Sequence, residues 1–183
     1  MMIERIRREH GYMVRLLGLL RQKLNQLQAE QSINYSLVAE IVTYLSQHSE
    51  RVHHPKEDLL YHYYQAHYGQ HRIMTNLERE HHQLATQTAQ FAELMEMILH
   101  DAVVPQGLFI DQLTQFIEAQ RQHLEMEERL VLPLIVEQFT NEDWLQVEKE
   151  WHVSEDDPVF GATIADGYKQ LAERVRDSEL ECV

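Results

Sequence analysis

Six residues carry the chemistry open to this sequence: His10, His53, Glu57, His81, His123 and Glu127. Each histidine falls where a helical stripe of apolar residues calls for leucine. His53 and His123 are followed four residues later by Glu57 and Glu127. Side chains four apart share one helix face. A carboxylate turned into an apolar core is costly unless it is paired or bound to a cation. A lone core histidine is ordinarily a hydrogen-bonded structural residue. Four of them, one per stripe, beside two inward glutamates need a common explanation, and metal binding supplies it. Imidazole and carboxylate ligands without thiolate suit iron, manganese or zinc. A glutamate can bridge two ions, and two helices offer one each. His54, His62, His67, His71, His82, His100 and His152 fall off the stripes and are expected in solvent, while His48 lies partly on the second stripe. His54 and His82 adjoin ligand positions and would replace them if the register were off by one. Tyr12, Tyr61 and Tyr64 lie near the expected ligands.

Four long amphipathic segments must position this set. The first carries Ile3, Ile6, His10, Met13, Leu17, Leu20, Leu24 and Leu27, with spacings alternating between three and four. The third carries Met74, Leu77, His81, Leu84, Thr88, Phe91, Met95 and Ile98. The fourth carries Leu113, Phe116, Gln120, His123, Glu127, Leu130 and Leu134. The second is broken in phase. Val38, Ile41, Leu45 and Val52 make one stripe, and His53, Glu57, Leu60 and Tyr64 make another, displaced by one residue. Pro55 sits at the join. A helical proline removes a hydrogen bond to the carbonyl four residues back, here Arg51. A kink or π-turn between Ser49 and Pro55 would bring both stripes onto the core, within one helix over 35–66. Short breaks at 29–34, 67–70 and 101–107 suit an up-down bundle.

The expected fold is therefore all-α: an up-down-up-down four-helix bundle over 1–138, with a C-terminal helical extension, 139–183, packed on it. In the extension, Asn141 is placed to cap a short helix through Trp151. A turn at 155–158 precedes a last helix over 160–179, with Ile164, Tyr168, Leu171 and Val175 on one face. No internal repeat, low-complexity run or second domain is apparent.

Composition narrows the function. The 183 residues hold 16 Lys and Arg against 30 Asp and Glu, a net charge of −14, which disfavours nucleic-acid binding. The length supports a core without staples, and 6 Gly with 4 Pro favour long helices over a β-sandwich. Cys182 is the single cysteine, so no disulfide framework or thiolate cluster forms. The segment MMIERIRREHGYM lacks the apolar run of a signal peptide, and no stretch has the length of a membrane span. A cytoplasmic protein is expected, one that uses neither membrane nor nucleic acid. A protein partner or homo-oligomer leaves no readable mark.

The motifs REHGYM around His10, HHPKED at 53–58, EREHHQL around His81 and HLEMEE at 123–128 resemble the hemerythrin-like, or HHE cation-binding, family. The resemblance covers residues 2–138. DDPVFG at 156–161 is similar to an extension of bacterial members. The resemblance implies a four-helix bundle holding a non-haem di-iron centre, two iron ions with an oxo or hydroxo bridge, with manganese or zinc as substitutes. Glu57 and Glu127 would bridge, and His10, His53, His81 and His123 would be terminal ligands. Oxygen-carrying members add a histidine one turn from the third-helix ligand, where this chain has Leu77 and Ala85, and use a His-x4-Asp pair where it has His123-x3-Glu127. One iron then keeps an open position. The resemblance thus implies binding of O2 or a related small ligand such as NO or peroxide, in sensing or redox and iron response. The alternative is a di-iron oxidoreductase acting on peroxide, O2 or nitric oxide. Six ligands hold only about two ions, which disfavours iron storage.

Overall fold

The computed structural model describes residues 1–151, 157, 159–160 and 168–180, with Glu50 and residues 178–180 as backbone alone. Among them every regular element is helical. Helix α1 spans Met2–Gln28, and α2 begins at Tyr35, where the Asn34 side chain accepts from the Leu37 N–H at 3.1 Å. Helix α2 (Tyr35–Tyr44) runs without a break into a π-helical segment, π1 (Leu45–His53), and then α3 (His54–Tyr68). Gly69, at φ 98°, ends this second stretch in a backbone conformation that glycine adopts freely. Helix α4 (Arg72–Leu99) is the third stretch. The fourth is again composite: α5 (Gln106–Met126), π2 (Glu127–Val131) and α6 (Leu132–Gln138). Helices α7 (Asn141–Glu150) and α8 (Lys169–Leu180) follow.

The π-turn expected before Pro55 is present. Proline has no N–H to close an α-turn onto Arg51, and the chain widens instead, so that the His54 N–H reaches the Ser49 carbonyl five residues back. Ile41 ahead of π1, Leu45 and His53 at its two ends, and Glu57 and Leu60 after it are all buried.

The fourth stretch corrects its expected stripe. A second π-turn precedes Pro133, with the Leu132 N–H bonded to the Glu127 carbonyl. The phase advances by one residue. Leu130 is 54% exposed, whereas Val131, Leu132 and Ile135 are buried. The cap of α7 is Thr140 rather than Asn141: its hydroxyl accepts from the Asp143 N–H, and the Asp143 carboxylate accepts from the Thr140 N–H at 2.7 Å. Most of the expected 155–158 turn and residues 161–167, Ile164 included, lie outside the described residues, and the last helix starts at Lys169.

Helix α1 packs along α5, and α2 along α4. The core has two apolar halves. One contains Leu17, Leu20, Val38, Ile41, Phe91 and Leu113, and α8 adds Leu171 and Val175 to it. The other contains Ile3, Ile6, Leu60, Leu77, Val131 and Ile135, and α7 adds Trp144 and Val147. Burying each such side chain contributes about 1.5–3 kcal/mol. Between the halves lies a layer of buried polar groups. His10 stands between Ile6 and Met13, and His123 between Phe116 and Val131. Near π1, Asp157 accepts from the Tyr44 hydroxyl at 2.7 Å, and Phe160 stacks on Tyr12 at 4.1 Å. No described helix is long and apolar enough to cross a membrane.

Candidate metal centre

All six expected ligands meet in the polar layer, each at most 4% exposed. The two glutamates lie at the middle. Glu57 Oε1 is 2.9 Å from His10 Nε2 and 3.3 Å from His53 Nε2, and Glu57 Oε2 is 3.7 Å from His81 Nε2. Glu127 Oε1 is 3.3 Å from His81 Nε2 and 3.2 Å from His123 Nε2, while Oε2 is 3.5 Å from His10 Nε2. Each carboxylate therefore turns one oxygen toward His10 and the other toward His81.

The far nitrogens have partners of their own. Nδ1 of His10 lies 2.7 Å from Glu128, that of His53 2.7 Å from Glu9, that of His81 2.8 Å from Asp58 and that of His123 3.5 Å from Glu80. A carboxylate on Nδ1 fixes the tautomer and ring direction, and leaves the Nε2 lone pair for a cation. Each acid comes from a different stretch than the histidine it holds. The first stretch holds the histidine of the second, the second that of the third, the third that of the fourth, and the fourth that of the first.

This ring exposes a correspondence between the halves of the chain, where no repeat was expected. Glu9-His10 and His53-x3-Glu57-Asp58 in one half match Glu80-His81 and His123-x3-Glu127-Glu128 in the other. The four outer acids were missed from sequence, although each sits directly beside an expected ligand.

Electrostatics match an assembly built around cationic charge. Burial alone would lower the His10 pKa, but hydrogen bonds to Glu128 and Glu57 outweigh it and raise it to about 10. Burial is likewise overcome at His81, raised to about 10 by Asp58 and Glu127, and at His123, raised to about 9 chiefly by Glu127. Glu57 and Glu127 are held below the usual carboxylate range: burial opposes ionisation, but the surrounding histidines prevail. Without metal, protons on the imidazoles thus balance the carboxylates.

Nε2 of His53, Oε2 of Glu57, Nε2 of His123 and Oε2 of Glu127 are buried without a hydrogen bond. Buried polar atoms are rarely left so, and four around one point fit a cation.

A pH dependence follows. A histidine whose pKa is raised on folding contributes stability that is full below its unfolded value of about 6.5. That contribution is lost as pH rises through about 9 to 10 for His10, His81 and His123. Lys56, whose pKa burial lowers, acts in the opposite direction as a single group. Chelator-treated protein should unfold at lower urea concentration at pH 9.5 than at pH 6.5. Equal midpoints would refute this balance.

Two further groups brace the layer. Lys56 is fully buried, and its Nζ donates to both oxygens of Glu9 at 2.6 and 2.8 Å. The same carboxylate holds His53. Tyr61 donates its hydroxyl to Glu127 Oε1 at 2.6 Å, and burial keeps the phenol protonated. The other two tyrosines singled out from sequence stand elsewhere: Tyr12 stacks on Phe160, and Tyr64 on Tyr68.

His54 departs from expectation. It is 4% exposed, not solvated, and its ring stacks on His81 at 4.2 Å. His62, His67, His82 and His100 are exposed as expected, His71 is half-buried, and His152 lies outside the described residues. His54, Glu57, His81 and His123 can each present a ligand atom within 4.8 Å of the others, and so can His10, His53 and Glu57.

No curated protein and no solved structure gives a significant match to the chain. The model of one family, the hemerythrin HHE cation binding domain, matches residues 1–135. That span holds both clusters of histidine and glutamate, and the chain belongs to the hemerythrin HHE cation-binding domain family.

Proposed function

We propose that the polar layer holds two iron ions. His10, His53, His81 and His123 would act as terminal ligands, and Glu57 and Glu127 as bridges. The observation that carries this is the two-way reach of both glutamates, with separate oxygens turned toward His10 and His81. A nitrogen and oxygen donor set without thiolate suits iron, with manganese or zinc as substitutes. Bound there, such a pair supplies redox change and a coordination position for O2 or a related small ligand. The chain's own part is to orient the imidazoles through Glu9, Asp58, Glu80 and Glu128, and to exclude water with the apolar halves on either side.

On this reading the four stretches form an up-down-up-down bundle over 1–138, and residues 139–183 are an extension packed on it. The setting is cytoplasmic, and the role is sensing or redox and iron response. The alternative, an oxidoreductase acting on peroxide, O2 or nitric oxide, draws support from Tyr61. Its hydroxyl, bonded to Glu127, places a proton donor beside the ligands.

Protein expressed with ample iron should contain about two irons per chain. Elemental analysis finding consistently less than one transition metal per chain would sink the proposal. Sustained peroxide turnover by the purified protein would favour the enzyme. A stable oxygenated spectrum without turnover would favour the binder.

A further inference from the structure

Adjacent residues of an α-helix point about 100° apart, so one of two neighbours ordinarily faces away from a core. His53 and His54 are both buried, at 0% and 4% exposure. They meet at the end of π1, where the chain is widened ahead of Pro55. The two rings are tilted 52° to each other with centroids 5.7 Å apart, and they serve different neighbours. His53 packs edge-on toward His10, with ring centroids 4.8 Å apart. His54 lies parallel to His81, at 4.2 Å and 7°, and edge-on to His123 at 5.7 Å.

Ligand atoms divide in the same way. His10, His53 and Glu57 form one convergent set, while His54, His81, His123 and Glu57 form the other. Glu57 is common to both.

We infer that His54 is a metal ligand, the third imidazole of a position it shares with His81 and His123, so that the two cation positions are unequal. This rests on the proposed metal centre and adds a donor to it. The position containing His54 offers three nitrogens and a carboxylate, and suits a divalent transition ion of borderline softness. The other offers two nitrogens and a carboxylate. Glu127, facing both His10 and His81, adds an oxygen to each. A site richer in imidazole binds such an ion more tightly, so the two positions should fill in order.

The test is calorimetric titration of chelator-treated protein with Zn2+. The unaltered protein should take up two ions per chain in two resolvable steps. His54→Ala should weaken one step by tenfold or more and leave the other in place, and His82→Ala should change neither. Two unchanged steps in His54→Ala would overturn the role of His54 while leaving the metal centre standing. Loss of both steps would overturn the division into unequal positions. Absence of any Zn2+ uptake by the unaltered protein would remove the centre and His54 together. A readout on the unaltered protein guards against a misfolded variant. Long-range 1H–15N correlation spectra should show five imidazoles responding to Zn2+, with the His54→Gln spectrum identifying the fifth. A response from only four, with His54 silent, would also overturn the assignment.

Discussion

Glu127→Ala should lower metal affinity by at least a hundredfold, while His82→Ala retains two metals per chain. Loss of a residue that merely orients a ligand costs roughly 10–100-fold in metal affinity, and Glu127 stands at the centre itself. Its two oxygens face His81 and His123 on one side and His10 on the other, so both proposed positions would lose a donor in one substitution. The Tyr61 hydroxyl also loses its acceptor. His82 follows His81 in sequence but is exposed on α4. Metal analysis of the purified variants, with circular dichroism to verify folding, checks this. If His82→Ala empties the site while His81→Ala does not, the register of α4 is wrong.

Lys56→Ala should destabilise the fold by about 3 kcal/mol, because breaking a buried ion pair from one side leaves the other charge poorly compensated. The Glu9 carboxylate would keep His53 Nδ1 at 2.7 Å and the partly exposed Arg5 at 3.3 Å, but would lose both short bonds to the ammonium. Combining Lys56→Met with Glu9→Gln should recover most of the loss, since the amide oxygen of glutamine still accepts from His53 while no lone charge remains. Urea unfolding of the single and double variants measures the coupling. A Lys56→Ala midpoint equal to that of the unaltered protein would show that the pair contributes nothing.

Legibility in the sequence followed how local each feature is. The stripes through His10 and His81 lie on uninterrupted helices, and three-and-four spacing locates them. The π-turn near Pro55 could be anticipated because the residues on its two sides disagree in phase. The second π-turn had no such conflict to reveal it. Around Pro133 the run LVLPLIV is apolar at nearly every position, so Leu130 and Leu134 made as good a stripe as Val131 and Ile135. His54 was placed in solvent because the expected π-turn was used only to bring the two stripes into line, while the step from His53 to His54 was still given the α-helical rotation that carries one of two neighbours off the core. Lys56 and the four outer acids were hidden for another reason. Their partners lie on other stretches, and in a chain with 30 acidic residues a further Asp or Glu carries no signal of burial.

The circular arrangement of acids and histidines has a mechanical consequence. Because the acid on each Nδ1 comes from another stretch, shifting any one stretch disturbs two imidazoles of the layer: the one it bears and the one its acid holds. Fraying at a single helix cannot loosen a single imidazole in isolation. On the proposed metal centre, retention of the ions would therefore depend on intact packing on all four sides, with loosening on any side felt at a second corner of the ring.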